Sequence, residues 1–187
     1  MTGNKIIFGI AGLIASGKGT TAKYFEKKYH ASIYRFSTML RQILDRIYLE
    51  HSRDNMVKMS ECLRQTFGED VMAKTMAKDV ANDPRQIIVI EGVRRLADIK
   101  YLSKLPGFML VEIFVEPQTR YERLIKRGEN SDDATKTYKQ FLADHQRSTE
   151  LSILKVTTQA TEKIDNNGDL ENLHQQIDGL VKKYRKF

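Results

Sequence analysis

The sequence holds a single cysteine, no tryptophan and three prolines among 187 residues. One cysteine, Cys62, excludes an intrachain disulfide and suits a reducing compartment, so a cytoplasmic location is expected. No apolar run approaches the ~18 residues that span a bilayer, which argues against a membrane helix or a membrane partner. The opening Met1-Thr2-Gly3-Asn4-Lys5 has none of the pattern of a secretory leader. Few prolines, no Ser/Gly-rich stretch and no internal repeat leave no linker, so residues 1–187 are expected to form one domain with a sizeable core. His30, His51, His145 and His174 are scattered without metal-ligand spacing, which places most of them at the surface. Cys62 recurs at helical spacing with Met59, Leu63 and Phe67, and this predicts a structural thiol on an apolar face.

Positive charge is in excess. The net charge of +7 and a pI near 9.4 suit an anionic partner without naming it. Polyphosphate ligands alone account for the excess. Nucleic acid is the less favoured partner, and Lys182-Lys183-Tyr184-Arg185-Lys186 is where it would be met first. Taken by itself, that run is a helix end whose cations complement the dipole. Nothing in the sequence sets an oligomeric state.

The most specific feature is Gly12-Leu13-Ile14-Ala15-Ser16-Gly17-Lys18-Gly19-Thr20. It follows Lys5–Ala11, a nearly continuous apolar run of the kind found in buried parallel strands, and precedes a plausible helix from Thr21. Strand, glycine loop, lysine and helix in that order make a phosphate cradle. Gly12 and Gly17 allow backbone angles that side chains forbid, so loop N–H groups can turn inward at a helix N-terminus. Lys18 adds a point charge for the outer phosphates. The pattern points to a nucleoside triphosphate.

Further elements follow by periodicity. Strands are expected at Ser32–Phe36, Gln86–Ile90, Phe108–Val115 and Glu162–Asp165. Helices are expected over Met39–Tyr48, over a stretch capped by Asp54 or Asn55 that ends at Gly68, and over Val71–Val80. Others are expected at Ala97–Leu105, at Gln118–Arg127, from Thr135 or Thr137 to about Lys155, and over Leu170–Tyr184. Strands alternating with helices predict an α/β fold with a parallel sheet, and its ligands lie beyond the carboxyl ends of the strands.

Gly-Lys-Gly-Thr, rather than Gly-Lys-Ser or Gly-Lys-Thr, resembles the nucleoside monophosphate kinases, adenylate kinase above all. An Asn-Lys-x-Asp motif for guanine is absent, and Asp165-Asn166-Asn167-Gly168 lies too late to be a switch loop. Phe141–Glu150 with Ile164–Gly168 is also similar to the end of dephospho-CoA kinases and related archaeal nucleotide-kinase-like proteins. The resemblance implies a three-layer P-loop fold with a five-stranded parallel sheet, with ATP and Mg²⁺ as cofactors and a small nucleotide as acceptor.

Residue by residue, the resemblance implies that ATP meets Gly12, Ala15, Ser16, Gly17, Lys18, Gly19, Thr20 and Thr21. Asn166, with Asn167, would approach the adenine. Thr20 and Glu91 would serve the metal, Glu91 through water, because Glu91-Gly92-Val93-Arg94-Arg95 is similar to the Asp-Gly-x-x-Arg segment of these kinases. Arg94, with Arg95 close behind, would hold the acceptor phosphate. Arg41 would share that task, although the Gly-Asp pair that precedes the matching arginine in adenylate kinases is missing here. Acceptor-binding helices are expected over about 38–82. Arg120, Arg123 and Arg127 recur at three- and four-residue steps and share a helix face. Next to the polar run Gly128–Asp133 they suggest a short lid over about 120–135, with Arg123 and Arg127 joining Lys18 in catalysis.

The acceptor is the open question. Dephospho-CoA kinases place an aspartate just after the second strand, where this chain reads Phe36-Ser37-Thr38-Met39. A hydroxyl acceptor wants a base. A phosphate acceptor is already ionised near neutrality and needs none. A (deoxy)nucleoside monophosphate is therefore the expected acceptor, ahead of dephospho-CoA or a polynucleotide end, with Glu91 the remaining candidate base. The rival from another class is a nucleotide-switched binding protein, such as a ribosome-assembly ATPase with an adenylate-kinase-like core.

Overall fold

The computed structural model describes residues 5–127 and 135–185. In chain order the elements are β1 (Ile6–Ala11), α1 (Lys18–Tyr29), β2 (Ser32–Arg35), α2 (Phe36–Arg46), α3 (Arg53–Phe67), α4 (Val71–Asn82), β3 (Ile87–Glu91) and α5 (Leu96–Ile99). A 3₁₀ turn at Leu102–Lys104 leads to β4 (Phe108–Phe114), α6 (Pro117–Arg127), α7 (Tyr138–Asp144), α8 (Ser148–Thr157), β5 (Glu162–Asp165) and α9 (Leu170–Tyr184). The five strands form one parallel sheet in the order β2-β3-β1-β4-β5. The α/β fold expected from the sequence is the one observed.

β1 is buried along its whole length because its two faces pack on different layers. Ile6, Phe8 and Ile10 meet Ala22 and Phe25 of α1 and Leu173, Ile177 and Val181 of α9. Ile7 and Ala11 face the other way, toward Leu40 of α2 and Met72, Met76 and Val80 of α4. Phe8 and Phe25 place their ring centroids 5.0 Å apart. Each fully buried aromatic of this kind contributes roughly 1.5–3 kcal/mol. Because β1 is central, its C-terminal end carries the glycine loop to the middle of the sheet's carboxyl edge, with β3 on one side and β4 on the other.

Several local expectations change. Phe36 opens α2 instead of closing β2, since its side chain is buried beside Leu40 and not in the strand register. The α3 cap is Ser52, which accepts from the Asn55 N–H at 3.2 Å, and not Asp54 or Asn55. α3 turns Met56, Met59 and Leu63 inward, leaving Cys62 and Phe67 exposed, so the thiol lies off the apolar face. The short helix expected at Ala97–Leu105 is split into α5 and the 3₁₀ turn. The long helix expected to reach Lys155 is two helices. Thr137 and Gln140 cap α7 reciprocally, and the chain turns at residues 145–147 before α8 begins. The Gly128–Asp133 part of the expected lid lies outside the described residues.

Candidate phosphate-binding site

Between β1 and α1 the backbone winds tightly. Ser16 N–H donates to the Leu13 carbonyl at 3.2 Å, Ala15 sits at φ 60° and Gly17 at φ 93°. A left-handed alanine two residues before a left-handed glycine stores strain at the point where α1 opens. Gly12 serves the loop differently from Gly17. Its φ is ordinary, but a Cβ there would come within 2.6 Å of Ser16 Oγ and 2.7 Å of the Ile113 carbonyl. Gly12 is required by close approach and Gly17 by its angle.

Lys18 opens α1 and folds back over the loop. Its ammonium donates to the Gly12 and Leu13 carbonyls at 2.8 and 2.9 Å. Burial lowers its pKa to about 8, helped by the positive fields of Arg94 and Arg127 and opposed by Glu150 and Glu91. Those four groups come from the β3–α5 loop, the end of α6, the first turn of α8 and the end of β3. The structure therefore brings the charges of Arg94, Arg127, Glu91 and Glu150 to bear on Lys18.

The loop is fit for an anion. Ser16 is fully buried, and its Oγ has no hydrogen-bond partner among the described residues. Lys18 feels two guanidinium groups, while one of its two carboxylates, Glu91, is already engaged. Arg35 Nε donates to Glu91 Oε2 at 2.6 Å, across the register pair that ends β2 and β3. The other oxygen, Oε1, lies 3.6 Å from where a Cβ on Gly19 would stand. A glycine after the lysine thus leaves room beside the one carboxylate oxygen that Arg35 does not hold.

Other expected residues separate. Thr20 is exposed in the first turn of α1. Thr21 is fully buried, and both its N–H and its hydroxyl donate to the Gly17 carbonyl, at 2.9 and 3.1 Å. It shapes the helix start and has no donor left for a phosphate, which corrects its assignment. Asn166 is also reassigned. Its side chain is buried and donates Nδ2 to the Ser16 carbonyl at 2.8 Å, so it clasps the loop from below and does not face an adenine. Asn167 accepts from the Glu116 N–H at 2.9 Å and joins β5 to the start of α6.

The arginines also divide. Arg95 turns toward Glu69, 3.8 Å away, while Arg94 projects its charge on Lys18. The structure thereby distinguishes two neighbours the sequence left open. Arg41 is exposed on α2 with Nη1 3.3 Å from Ser37 Oγ. Arg123 donates to the Gly168 carbonyl at 3.3 Å, beside the loop after β5. Arg120 is buried, donating Nε to the Val115 carbonyl at 3.1 Å and Nη1 to the Ile14 carbonyl at 3.5 Å. It braces the loop from within the fold.

Three neighbours were missed in the sequence. Arg35 ends β2 and was within reach of the rule that ligand-facing residues end strands. Asp98, buried in α5, accepts from the Arg94 and Arg95 N–H groups at 3.0 and 2.9 Å and so shapes the arginine loop. Glu150 meets the loop across 136 residues, and no local pattern announces it.

Residues 11–141 match the family model described as AAA domain. A UPF0200 protein of Methanocaldococcus jannaschii is 27% identical over 97% of this chain and 95% of its own length. Another, from Thermococcus kodakarensis, is 29% identical over 92% of this chain and 94% of its own. Among solved structures, TT1252 from Thermus thermophilus aligns with a TM-score of 0.62 at 15% identity, covering 96% of this chain and 98% of that one. Shikimate kinase from Bacteroides thetaiotaomicron aligns with a TM-score of 0.54 at 15% identity, covering 95% and 97%. At such identities the likeness is one of fold alone, a fold shared with that shikimate kinase.

Proposed function

We propose, from the premise that the chain belongs to the AAA domain family, that it is an ATP- and Mg²⁺-dependent phosphotransferase acting on a nucleotide or nucleotide-like small molecule. The observation that carries this reading is the company of Lys18: guanidinium groups from two separate elements bear on one ammonium at the mouth of a phosphate loop. Phosphoryl transfer asks mostly for positioning and for charge to meet the migrating group. In the reaction the bond from the terminal phosphorus to its bridging oxygen breaks, a bond to the acceptor oxygen forms, and the diphosphate leaves. Lys18 and Arg127 face the migrating group, Arg94 the acceptor. Mg²⁺ would be held through water by Glu91 Oε1, with the Thr20 hydroxyl as the other proposed donor, and would screen the phosphate charges.

The acceptor atom we assign is a phosphate oxygen, as in a nucleoside monophosphate. No carboxylate follows β2, and Glu91, the nearest substitute base, has Oε2 taken by Arg35. A hydroxyl acceptor would depend on the other oxygen of Glu91 alone as its base, whereas an ionised phosphate needs none. The test is steady-state turnover of ATP without acceptor, with AMP, CMP, UMP, GMP and their deoxy forms, with dephospho-CoA, and with RNA. Transfer to one or more monophosphates is expected. Efficient turnover of dephospho-CoA with the monophosphates inert would overturn the assignment and make Glu91 the base. Stimulation by RNA alone would favour a nucleotide-switched binding protein.

A further inference from the structure

The peptide joining Leu13 to Ile14 is gripped from both sides. Its carbonyl accepts from Lys18 Nζ at 2.9 Å, and its N–H donates to Glu150 Oε2 at 3.4 Å. The next carbonyl, that of Ile14, accepts from buried Arg120 at 3.5 Å. Glu150 also bears on Lys18, Arg120 and His145 through its negative charge. A carboxylate from α8 therefore sits where a loop N–H is offered, and it offsets the charge of Lys18, the cation that an incoming phosphate would meet.

The position on the loop matters. The N–H groups at the start of α1 take the phosphate on the helix axis, whereas Ile14 lies on the outer arm, on the very peptide that Lys18 touches. The lysine of such loops serves the outer phosphates. A diphosphate can therefore occupy the helix end and leave the outer arm as it is. A terminal phosphate, drawing Lys18 forward, has to take the Ile14 N–H from a group of its own sign.

We propose that Glu150 is a specificity-determining residue by which the loop distinguishes a triphosphate from a diphosphate. It holds the Leu13–Ile14 peptide in the empty and diphosphate-bound protein and yields it to the terminal phosphate. This rests on the nucleotide reading above. The cost of displacing Glu150 falls on the triphosphate alone, so it lowers triphosphate affinity relative to diphosphate. It also couples occupancy of the outer arm to α8, whose first turn carries Glu150.

The test is calorimetric binding of ADP and of a non-hydrolysable ATP analogue to the full chain, wild type and Glu150→Gln, without acceptor. Glutamine keeps an acceptor for the Ile14 N–H but removes the charge. The expected result is an analogue Kd tightened about tenfold, or ~1.4 kcal/mol, with the ADP Kd changed less than about twofold. Equal shifts for both nucleotides, or weaker analogue binding, would overturn the proposal. A second measurement needs no variant. The Ile14 amide resonance of the wild type should stay in place with ADP and move with the analogue, and movement with both or neither would overturn it. A wild type that binds neither nucleotide refutes the phosphate-loop reading itself, an outcome the wild-type titration reveals alone.

Discussion

Asn166 donates its side-chain amide to the Ser16 carbonyl at 2.8 Å, a bond between residues 150 positions apart. It ties the end of β5 to the glycine loop between β1 and α1. The bond forms away from water, with Asn166 only 5% exposed. A Cβ on Gly17 would overlap the same amide nitrogen, and Gly17 already sits at φ 93°. The loop's second glycine and its clasp are thus one fit, which holds the N–H groups of the α1 start in place before any ligand arrives.

Removing the clasp should loosen the loop. Asn166→Ala leaves the buried Ser16 carbonyl without its donor, at a cost of about 1–3 kcal/mol. Gly17→Ala should cost more, because backbone strain adds to the overlap. In a double-mutant cycle by chemical denaturation, Asn166→Ala should be less damaging in the Gly17→Ala background than in wild type. Strict additivity would show that the two residues do not share one space.

Lys18 should matter to chemistry and not to stability. Its pKa is lowered to about 8 in the folded chain from 10.5. Between those values the unfolded chain binds more protons, so this group's contribution to stability rises with pH through that window. Below about 8 the folded chain carries the full cost of the confined charge. Lys18→Met should therefore abolish ATP-dependent transfer while leaving the melting temperature at pH 7 unchanged or raised. The advantage of the variant should shrink between pH 8 and 10.5. A variant destabilised at pH 7 would mean that the bonds to the Gly12 and Leu13 carbonyls outweigh the charge.

What could be read in advance follows from how local each cause is. Strands and helices showed because buried runs and three- and four-residue steps are properties of neighbouring residues, and the glycine loop showed because its chemistry is contiguous. Arg94 and Arg95 could not be told apart, since adjacent loop residues carry no periodicity; the pull of Glu69 on Arg95 and the field of Arg94 on Lys18 separate them. Thr21 and Asn166 were misassigned for a different reason. Each sits within the right segment, yet burial turns its polar atoms onto the Gly17 and Ser16 carbonyls. The break between α7 and α8 escaped because both helices are individually well patterned, and the turn at residues 145–147 carries neither glycine nor proline.

The arginines should separate in kinetics. If Arg94 holds the acceptor phosphate as proposed, Arg94→Ala should raise the acceptor KM; its charge already bears on Lys18. Arg95→Ala should do so less, its guanidinium being turned to Glu69. Arg127→Ala should lower kcat more than it weakens acceptor binding, as expected of a group acting mainly in the transition state. An unchanged kcat at saturating substrates would remove Arg127 from the mechanism, and equal KM effects at Arg94 and Arg95 would undo their separation.

Asp98 tests whether the arginine loop is held by hydrogen bonds or by charge. Its carboxylate is 7% exposed and Oδ2 accepts from the Arg94 and Arg95 N–H groups at 3.0 and 2.9 Å. Burial pushes its pKa up, against the pull of those two N–H groups and of the Arg64 and Arg95 charges. A carboxylic acid with a raised folded pKa favours folding below its unfolded value and loses that contribution as pH rises through the folded one. The charge itself is thus a cost near neutrality, while the acceptor atoms are an asset. Asp98→Asn keeps an oxygen for both N–H groups and removes the charge, so the acceptor KM should stay near wild type. Asp98→Ala strands two donors and frees the loop, so the acceptor KM should rise while ATP binding, set by the loop between β1 and α1, stays unchanged. Steady-state kinetics on both variants decide the matter. If Asn behaves like Ala, the loop is held by the charge of Asp98 and the hydrogen-bond account fails.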